Sequence, residues 1–294
     1  IIPTLGQALT LKEILDSLEK QTLQPDEIVI VDSSKDNAVK NLCSSYIRNL
    51  PIKFFKVTDL YPGEARNFGI KKSLGDIIAT IDSKTVPNKY WLETGVNNIN
   101  SNNYDISFGA TKYEASSSFQ KILQACIYGK KPVQTLPGSV FSKDIFYHVG
   151  VFAEGTRSGE DLEWRNRAMN KGLSIHTQTN NPLKYNDISV NIFLEIKRAF
   201  VYQLHGAKLD VQHRARIVIF GIGILMITLL IPQWNNLVGW EESRLYIANI
   251  TKSYFYFLSI FTLVLLALSH KFNKVTRNLW FKFLFISIFI LSSF

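Results

Sequence analysis

The stretch Gly75-Asp76-Ile77-Ile78-Ala79-Thr80-Ile81-Asp82-Ser83-Lys84-Thr85-Val86-Pro87 runs an apolar segment into a carboxylate, Asp82, with an ammonium, Lys84, two residues later. An acid and a base at a strand end suit a phosphate-bearing ligand, because a departing diphosphate gains negative charge that a neighbouring cation stabilises. A divalent ion held between two spaced acids would serve the same purpose, and here Lys84 stands where the second acid would be. Taken in isolation, the same residues also describe a solvated turn. The rest of the chain separates the two readings.

Two more polar residues close short apolar runs. Residues 1–4 read as a strand ending on Thr4, and the β-branched run 27–31 is closed by Asp32. Between them, Leu11, Ile14, Leu15 and Leu18 mark one face of a helix, with Thr10 and Glu13 spaced as a capping box. A polar helix near 37–47, a strand over 52–57, a helix near 64–73 and a strand over 76–81 complete the alternation. Strand and helix alternating at this spacing predict an α/β fold, a mostly parallel sheet with flanking helices. Ligands of such sheets bind beyond the carboxyl ends of the strands, where Thr4, Asp32 and Asp82 converge. Each alone also suits a loop cap.

The pattern over 88–178 is less regular. It predicts helices near 90–99 and 119–128, a strand near 104–110 and a glycine turn at Pro137-Gly138-Ser139. Trp91, Tyr113 and Trp164 are candidates to stack on a ligand ring, with a place in the core as the alternative for each. Gly159-Glu160-Asp161-Leu162-Glu163 then opens a helix with acids in its first turn. Acids there stabilise a helix N-terminus by about 0.3–1 kcal/mol whatever else they do.

With 294 residues the chain holds one sizeable domain and further elements, and its formal charge of +9 points to anionic partners. The basic residues cluster beside C-terminal apolar runs and do not interleave with aromatics on a sheet face. That argues for a membrane and against nucleic acid. Cys43 and Cys126 belong to no Cys-x-x-Cys pair and read as buried, reduced thiols of a cytosolic domain. The chain begins at Ile1 without an initiator Met and ends at Phe294 inside an apolar run, so both ends read as truncated.

Three apolar runs, 217–231, 254–269 and 279–294, approach the ~20 residues a membrane-spanning helix needs, the third being cut off. Arg214 and Arg216 precede the first, and Lys271, Lys274 and Arg277 join the second to the third. Glu241, Glu242, Arg244 and Lys252 cancel in the intervening loop, which places the N-terminal domain in the cytoplasm, with Lys282 snorkelling to the same face. Residues 190–213 mix Ile192, Phe193, Ile196, Phe200, Val201 and Leu204 with Lys197, Arg198 and Lys208. They form an amphipathic helix that lies along the membrane interface or packs on the domain.

Five stretches in order carry a family resemblance: Ile1-Ile2-Pro3-Thr4, Glu27 through Val31-Asp32-Ser33-Ser34, Gly63-Glu64-Ala65-Arg66-Asn67-Phe68-Gly69-Ile70, the strand into Asp82, and Gly159-Glu160-Asp161. Together they resemble glycosyltransferase family 2, inverting enzymes of the Rossmann-like GT-A fold, in a membrane-anchored bacterial form. The resemblance implies a GT-A domain over 1–189, an interfacial linker over 190–213 and a multi-pass region over 214–294 with about three spans. It implies that Pro3, Thr4 and Asp32 line the base and ribose pocket of a nucleotide-sugar donor. Arg66 would approach the base or diphosphate as a planar, permanently charged group. Asp82 would stand at the diphosphate and at a Mg2+ or Mn2+ ion, and Asp161, within Glu160-Asp161, would be the general base for an acceptor hydroxyl.

Two departures touch the metal. Lys84 takes the second acid's place, and no histidine appears near Pro182-Leu183-Lys184-Tyr185; His176, a lone histidine on a strand, reads as structural. Either the Lys84 ammonium substitutes for the ion, giving metal independence, or the site is weakened. The implied activity is hexosyl transfer to a lipid-linked or cell-surface glycan at the cytoplasmic face of the plasma membrane, in polysaccharide or cell-envelope biosynthesis. The alternative is a non-catalytic or metal-independent membrane partner of the same fold. Processive synthesis is disfavoured, since the Trp164-Arg165 pair lacks the Gln-x-x-Arg-Trp context of processive members.

Overall fold

Strands β1 (Ile2–Thr4), β2 (Ile28–Asp32) and β3 (Ile52–Lys56) form a parallel sheet with β2 in the middle, in the computed structural model of the chain. Residues 1–206, 209, 213–268 and 274–292 are described, and they fall into two units, Ile1–Val211 and Gln212–Phe294. Every residue of β2 is buried, as a β-branched run covered on both faces requires. Helices α1 (Ala8–Leu18) and α2 (Ala38–Tyr46) supply Leu11, Ile14, Leu15, Leu18 and Val39 to a core with Ile2 and Ile30. Helix α3 (Pro62–Lys72) contributes Ala65 to a separate cluster with Val29 and Val31. The register sets Thr4 beside Asp32 and Asp32 beside Lys56, so the strand ends align.

The capping box expected at Thr10 and Glu13 does not form. Helix α1 starts earlier, with Gln7 at the N-cap, so Thr10 lies inside the first turn and its hydroxyl donates to the Gln7 carbonyl at 3.3 Å. The expected cap lay three residues, most of a turn, inside the helix.

The mostly parallel sheet predicted from the alternation holds for the first three strands only. Strands β4 (Ile77–Ala79), β5 (Thr85–Val86), β6 (Ile106–Tyr113), β7 (Val133–Ser142), β8 (Ile175–Thr177) and β9 (Leu183–Tyr185) make a mixed sheet in the order β4-β7-β6-β9-β5, with β8 on β6. The β4/β7, β6/β7 and β5/β9 pairs are antiparallel, and β6/β8 and β6/β9 parallel. The Ile1 nitrogen donates to the Ala79 carbonyl at 2.7 Å and the Ile81 N–H to the Ile1 carbonyl at 3.1 Å, which stitches β1 to β4 and aligns both sets of strand ends.

The predicted glycine turn at residues 137–139 is instead the middle of β7. Gly138 has φ +87°, the β6/β7 register shifts between Ser107 and Gly109, and a Cβ on Gly109 would lie 2.0 Å from the Pro137 carbonyl oxygen. Turns and strand irregularities draw on the same residues, and here the outcome is a kinked ladder.

Helices α4 (Trp91–Asn100), α5 (Ser118–Leu123, continued by a π-helical turn Gln124–Tyr128), α6 (Lys143–Val149) and α7 (Glu160–Asn170) complete the layers. A second core of Phe108, Phe141, Phe146, Phe152 and Trp164 seats α7. Trp164 and Trp91 are buried and spend their indole N–H groups on the Gly150 and Gly138 carbonyls, each at 2.8 Å, so neither is free to stack on a sugar. Cys43 is buried, and burial pushes its thiol up to about 11. Cys126 corrects the expectation of two buried thiols: it lies exposed on the π-helical turn, beside the exposed Ile127.

Helix α8 (Ile192–Gly206) belongs with the first unit and is inside-out. Two of its charged residues face the domain: Glu195 accepts from the Tyr128 hydroxyl at 2.8 Å, and Arg198 N–H donates to the Asp187 carbonyl at 3.3 Å. Phe193 and Phe200, by contrast, are 80% and 69% exposed, with Ile196 and Leu204 on the same outward stripe. In the second unit Leu258, Leu284 and Leu291 form a core, and a Cβ on Gly221 would fall 2.2 Å from the Phe283 ring, so these helices touch closely. By length and composition two helices could cross a membrane, Ile217–Val238 with 22 residues and Ile250–Ala267 with 18. The third expected run, Asn278–Ser292, is shorter among the described residues, and Lys208 and Lys271 lie outside them.

Glu27 ties the start of β2 to the start of β4. It accepts from the N–H groups of Leu74 at 2.5 Å and Gly75 at 2.9 Å and from the Lys53 ammonium at 2.6 Å. Burial works against the charged carboxylate, but Lys53 and the two amides outweigh it and hold the pKa below the ordinary 4.5. The stabilisation is therefore complete above the ordinary Glu value and is lost as pH falls through the lower folded-state value. Glu27→Ala should cost about 1–3 kcal/mol at neutral pH and flatten the acid limb of stability, read by chemical denaturation from pH 3 to 7.

Candidate functional site

Beyond the carboxyl ends of β1 and β4 lies a cleft of about 270 Å³. Pro3, Thr4, Arg66, Asp82 and Lys84, five residues singled out in the sequence, line it together. A larger cavity of about 330 Å³ opens among Ile28, Ile77 and Trp91 near the opposite strand ends, and its walls are mostly aliphatic. The polar chemistry sits in the smaller one.

The turn carrying Asp82 and Lys84 is closed at both ends by Thr85. The Thr85 N–H donates to the Asp82 carbonyl at 3.0 Å, and its hydroxyl accepts from the Asp82 N–H at 3.2 Å. Gln7 braces the neighbouring strand end: its side-chain oxygen accepts from the Leu5 N–H at 2.8 Å and the Ser83 hydroxyl at 3.0 Å. The loop after β1 and the turn after β4 are thereby held as one edge.

Arg66 enters the cleft from α3. It is 3% exposed, and it donates to Asp82 Oδ1 at 2.5 Å and to Glu160 Oε1 at 2.7 Å. Burial opposes its charge, yet Asp82 and Glu160 more than reverse this and raise its pKa. The approach of α3 to α7 that permits this fork depends on Gly63, where a Cβ would stand 2.5 Å from the Ala153 carbonyl oxygen and 3.1 Å from Glu160 Cγ.

Glu160 and Asp161 occupy the first turn of α7 but differ in setting. Glu160 is buried, one oxygen on Arg66 and the other without a hydrogen-bond partner among the described residues. Burial pushes its carboxyl above the usual range, and Arg66 only partly offsets this. Asp161 is half-buried, accepts only from the N–H of Leu162 at 2.8 Å, and its charge acts on Arg66, Glu160, Tyr113 and Arg165. It adjoins the cleft residues electrostatically without lining the cleft.

Asp32 is not brought into the cleft. It is fully buried, and its carboxylate accepts from the N–H and hydroxyl of Ser34 at 3.1 and 2.8 Å and from the Lys56 ammonium at 2.7 Å. Its neighbour Ser33 is the residue that reaches the lining. Tyr113, the third candidate for sugar stacking, is sandwiched against Tyr128 and Tyr185, with ring centroids at 4.6 and 5.1 Å. His176 packs on Tyr104 on β8.

Lys84 lines the cleft and donates to Asp187, which also lies 3.6 Å from Arg198. Arg157, Tyr185 and Tyr202 line it too, and sequence reasoning missed all three along with Asp187. Tyr185 and Asp187 follow from the β5/β9 pairing and Tyr202 from the inward side of α8, neither of which the local pattern encodes. Asp82 is the one carboxylate among the lining residues of the cleft, so an ion held there would take its other ligands from substrate phosphates and water. Arg66 already pairs with Asp82, and no group of three or more His, Cys, Asp or Glu suited to a metal occurs among the described residues.

Removing the Glu160 carboxylate would leave the Arg66 charge buried beside an empty partner site. Glu160→Ala should therefore destabilise the first unit by about 3–5 kcal/mol, whereas an acid at an exposed helix N-terminus would cost under about 1 kcal/mol. Equilibrium denaturation of the full chain, followed by tryptophan fluorescence, distinguishes the two.

Comparison with known proteins places this geometry in a family. The family described as Glycosyl transferase family 2 matches residues 1–158. Glycosyltransferase AglE of Haloferax volcanii is 27% identical over 188 residues, 60% of this chain and 62% of that protein. A UDP-Gal:alpha-D-GlcNAc-diphosphoundecaprenol beta-1,3-galactosyltransferase of Escherichia coli is 32% identical over 80 residues, 26% of this chain and 29% of that protein. The chain thus spans less than two thirds of either relative. Among solved structures, S. aureus TarS 1-349 in complex with UDP-GlcNAc aligns with a TM-score of 0.52 and 20% identity, over 99% of this chain and 80% of that one, which shows a shared GT-A-like α/β fold. With more than half its length matched, the chain belongs to glycosyl transferase family 2.

Proposed function

We propose that the chain transfers a hexosyl group, with inversion, from a nucleoside-diphosphate sugar to a lipid-linked or cell-surface glycan acceptor at the cytoplasmic face of a membrane. The observation that carries this reading is the cluster of Arg66, Asp82 and Lys84 in one cleft beyond the strand ends, with Asp161 beside it on α7. Family membership and the printed substrate of the E. coli relative, a diphosphoundecaprenol-linked sugar, support the substrate classes.

In this reading Pro3, Thr4 and Ser33 border the nucleotide, while Asp32 keeps the loop behind them in shape through Ser34 and Lys56. Asp161 removes the proton from the acceptor hydroxyl as its oxygen attacks the anomeric carbon, and the bond to the diphosphate breaks on the opposite face. The electron pair leaves with the diphosphate, whose growing charge meets the Lys84 ammonium and the Arg66 guanidinium. Glu160 holds Arg66 and takes no proton from substrate. The cation requirement is met by side chains, Arg66 on Asp82 and Lys84 elsewhere in the lining of the same cleft.

The membrane part of the proposal is supported by the outward apolar stripe of α8 and by two helices long enough to span. A lipid surface suits α8 because Glu195 and Arg198 are already satisfied on the domain side, leaving an apolar stripe outward.

Two sets of measurements check this function. With membrane extract as acceptor and a panel of sugar nucleotides, turnover should persist in excess EDTA. Lys84→Ala should lower it about 10²–10³-fold, and Asp161→Asn about 10²–10⁴-fold with donor affinity retained. No transfer or hydrolysis with any donor would favour a non-catalytic partner, and loss of turnover with EDTA would reject the side-chain cation. For the membrane, a Cys126→Ser background carrying Phe193→Cys or Phe200→Cys, labelled with an environment-sensitive dye in liposomes, should report an apolar setting. Lys40→Cys on α2 should read as water, and equal emission from all three would remove α8 from the interface.

A further inference from the structure

We propose that Asp187, backed by Arg198, is a positioning residue that holds the Lys84 ammonium at the diphosphate end of the cleft; this rests on the donor-site reading above. The juxtaposition is built by the sheet. Strand β5 begins immediately after Lys84 and pairs antiparallel with β9, Thr85 opposite Tyr185 and Val86 opposite Lys184. The chain leaving β9 therefore runs back alongside the turn of Asp82 and Lys84, and Asp187 meets the lysine there.

Asp187 is itself anchored. An Arg198 N–H donates to its carbonyl at 3.3 Å, and the guanidinium lies 3.6 Å from the same carboxylate oxygen that takes the Lys84 proton donor. Arg198 comes from the inward side of α8. Burial opposes its charge, but Tyr185, Tyr202 and Tyr128 raise its pKa, so it stays a cation. The triad of two cations and one anion carries a net positive charge at the cleft wall.

A free lysine on a four-carbon stem is a poor substitute for a fixed ion, because its charge is spread over many rotamers. One carboxylate contact removes most of that freedom while using one of three ammonium donors, which leaves the others for phosphate oxygens. An isolated exposed pair would have little effect. Here both partners are about two-thirds or less shielded from solvent, yet the anion is also tied by backbone and guanidinium, so its position does not depend on Lys84. Asp187 touches no part of the proposed donor; it acts through the lysine.

The test is equilibrium binding of UDP, GDP and dTDP to the full chain in detergent by calorimetry, the tightest binder being carried through the variants. Asp187→Ala should raise its Kd about tenfold and Asp187→Glu should restore most of the affinity. In a Lys84→Ala background, Asp187→Ala should change Kd less than about twofold, because a residue acting through Lys84 has no further effect once the lysine is gone. An unchanged Kd for Asp187→Ala, or an equal loss with and without Lys84, overturns the proposal. Failure of all three nucleotides to bind the unaltered chain overturns the donor-site reading itself, a separate outcome.

Discussion

The buried guanidinium of Arg66 is the contact on which the site depends. It comes from α3 and is forked between Asp82 after β4 and Glu160 at the start of α7, so it ties together three elements far apart in the sequence. A charge so little exposed persists only with close partners, and removing one partner costs more than the pair ever contributes. The constraint propagates outward. Gly63 must lack a side chain for α3 and α7 to approach, and the Phe and Trp cluster beneath must hold α7 at that height. In the proposed function the same fork leaves Asp161, one residue further on, beside the cleft.

The opposite wall is organised by a second charge network of different character. Lys84, Asp187 and Arg198 are half-exposed, and they link the turn after β4 to α8 through the β5/β9 ladder. Arg66 and Glu160 are the buried part of the first network, whereas Asp82 and the second network are open to solvent. Between them the two networks place Arg66, on Asp82, and Lys84, on Asp187, within one lining, an arrangement suited to a diphosphate. Helix α8 ties this wall to an outward stripe of Phe193, Ile196, Phe200 and Leu204, so the proposed donor end and the proposed lipid-facing surface share one element.

Much of the first half was legible because its signals are local. The β-branched run into Asp32, the periodicity of Leu11 to Leu18 and the acids opening α7 all appear where the patterns put them. Of the mixed second sheet β4 and β6 were expected as strands, but β7 to β9 and the pairing were not legible, since they are chosen across long separations and Pro137-Gly138-Ser139 reads the same in a turn and in a kinked strand. For the candidate site, residue types and strand-end positions picked out Pro3, Thr4, Arg66, Asp82 and Lys84 together. Side-chain direction lay beyond reach: Asp32 turns inward to Ser34 and Lys56, Glu160 is taken by Arg66, and Asp187 arrives only through the β9 register. The aromatic candidates Trp91 and Trp164 went to the core for the usual reason, since large rings with one satisfied N–H stabilise an interior well.

In the proposed function the side-chain cations Arg66 and Lys84 receive the donor diphosphate. A structure of the full chain crystallised with a non-hydrolysable nucleotide sugar in millimolar MgCl₂ tests it most directly. The distal phosphate should then lie within hydrogen-bond distance of Lys84 Nζ, with Asp187 still on the lysine and the nucleotide running toward Pro3 and Thr4. A metal ion bridging Asp82 and the diphosphate with Lys84 turned away, or a nucleotide seated in the cavity between Ile28 and Trp91, would contradict it.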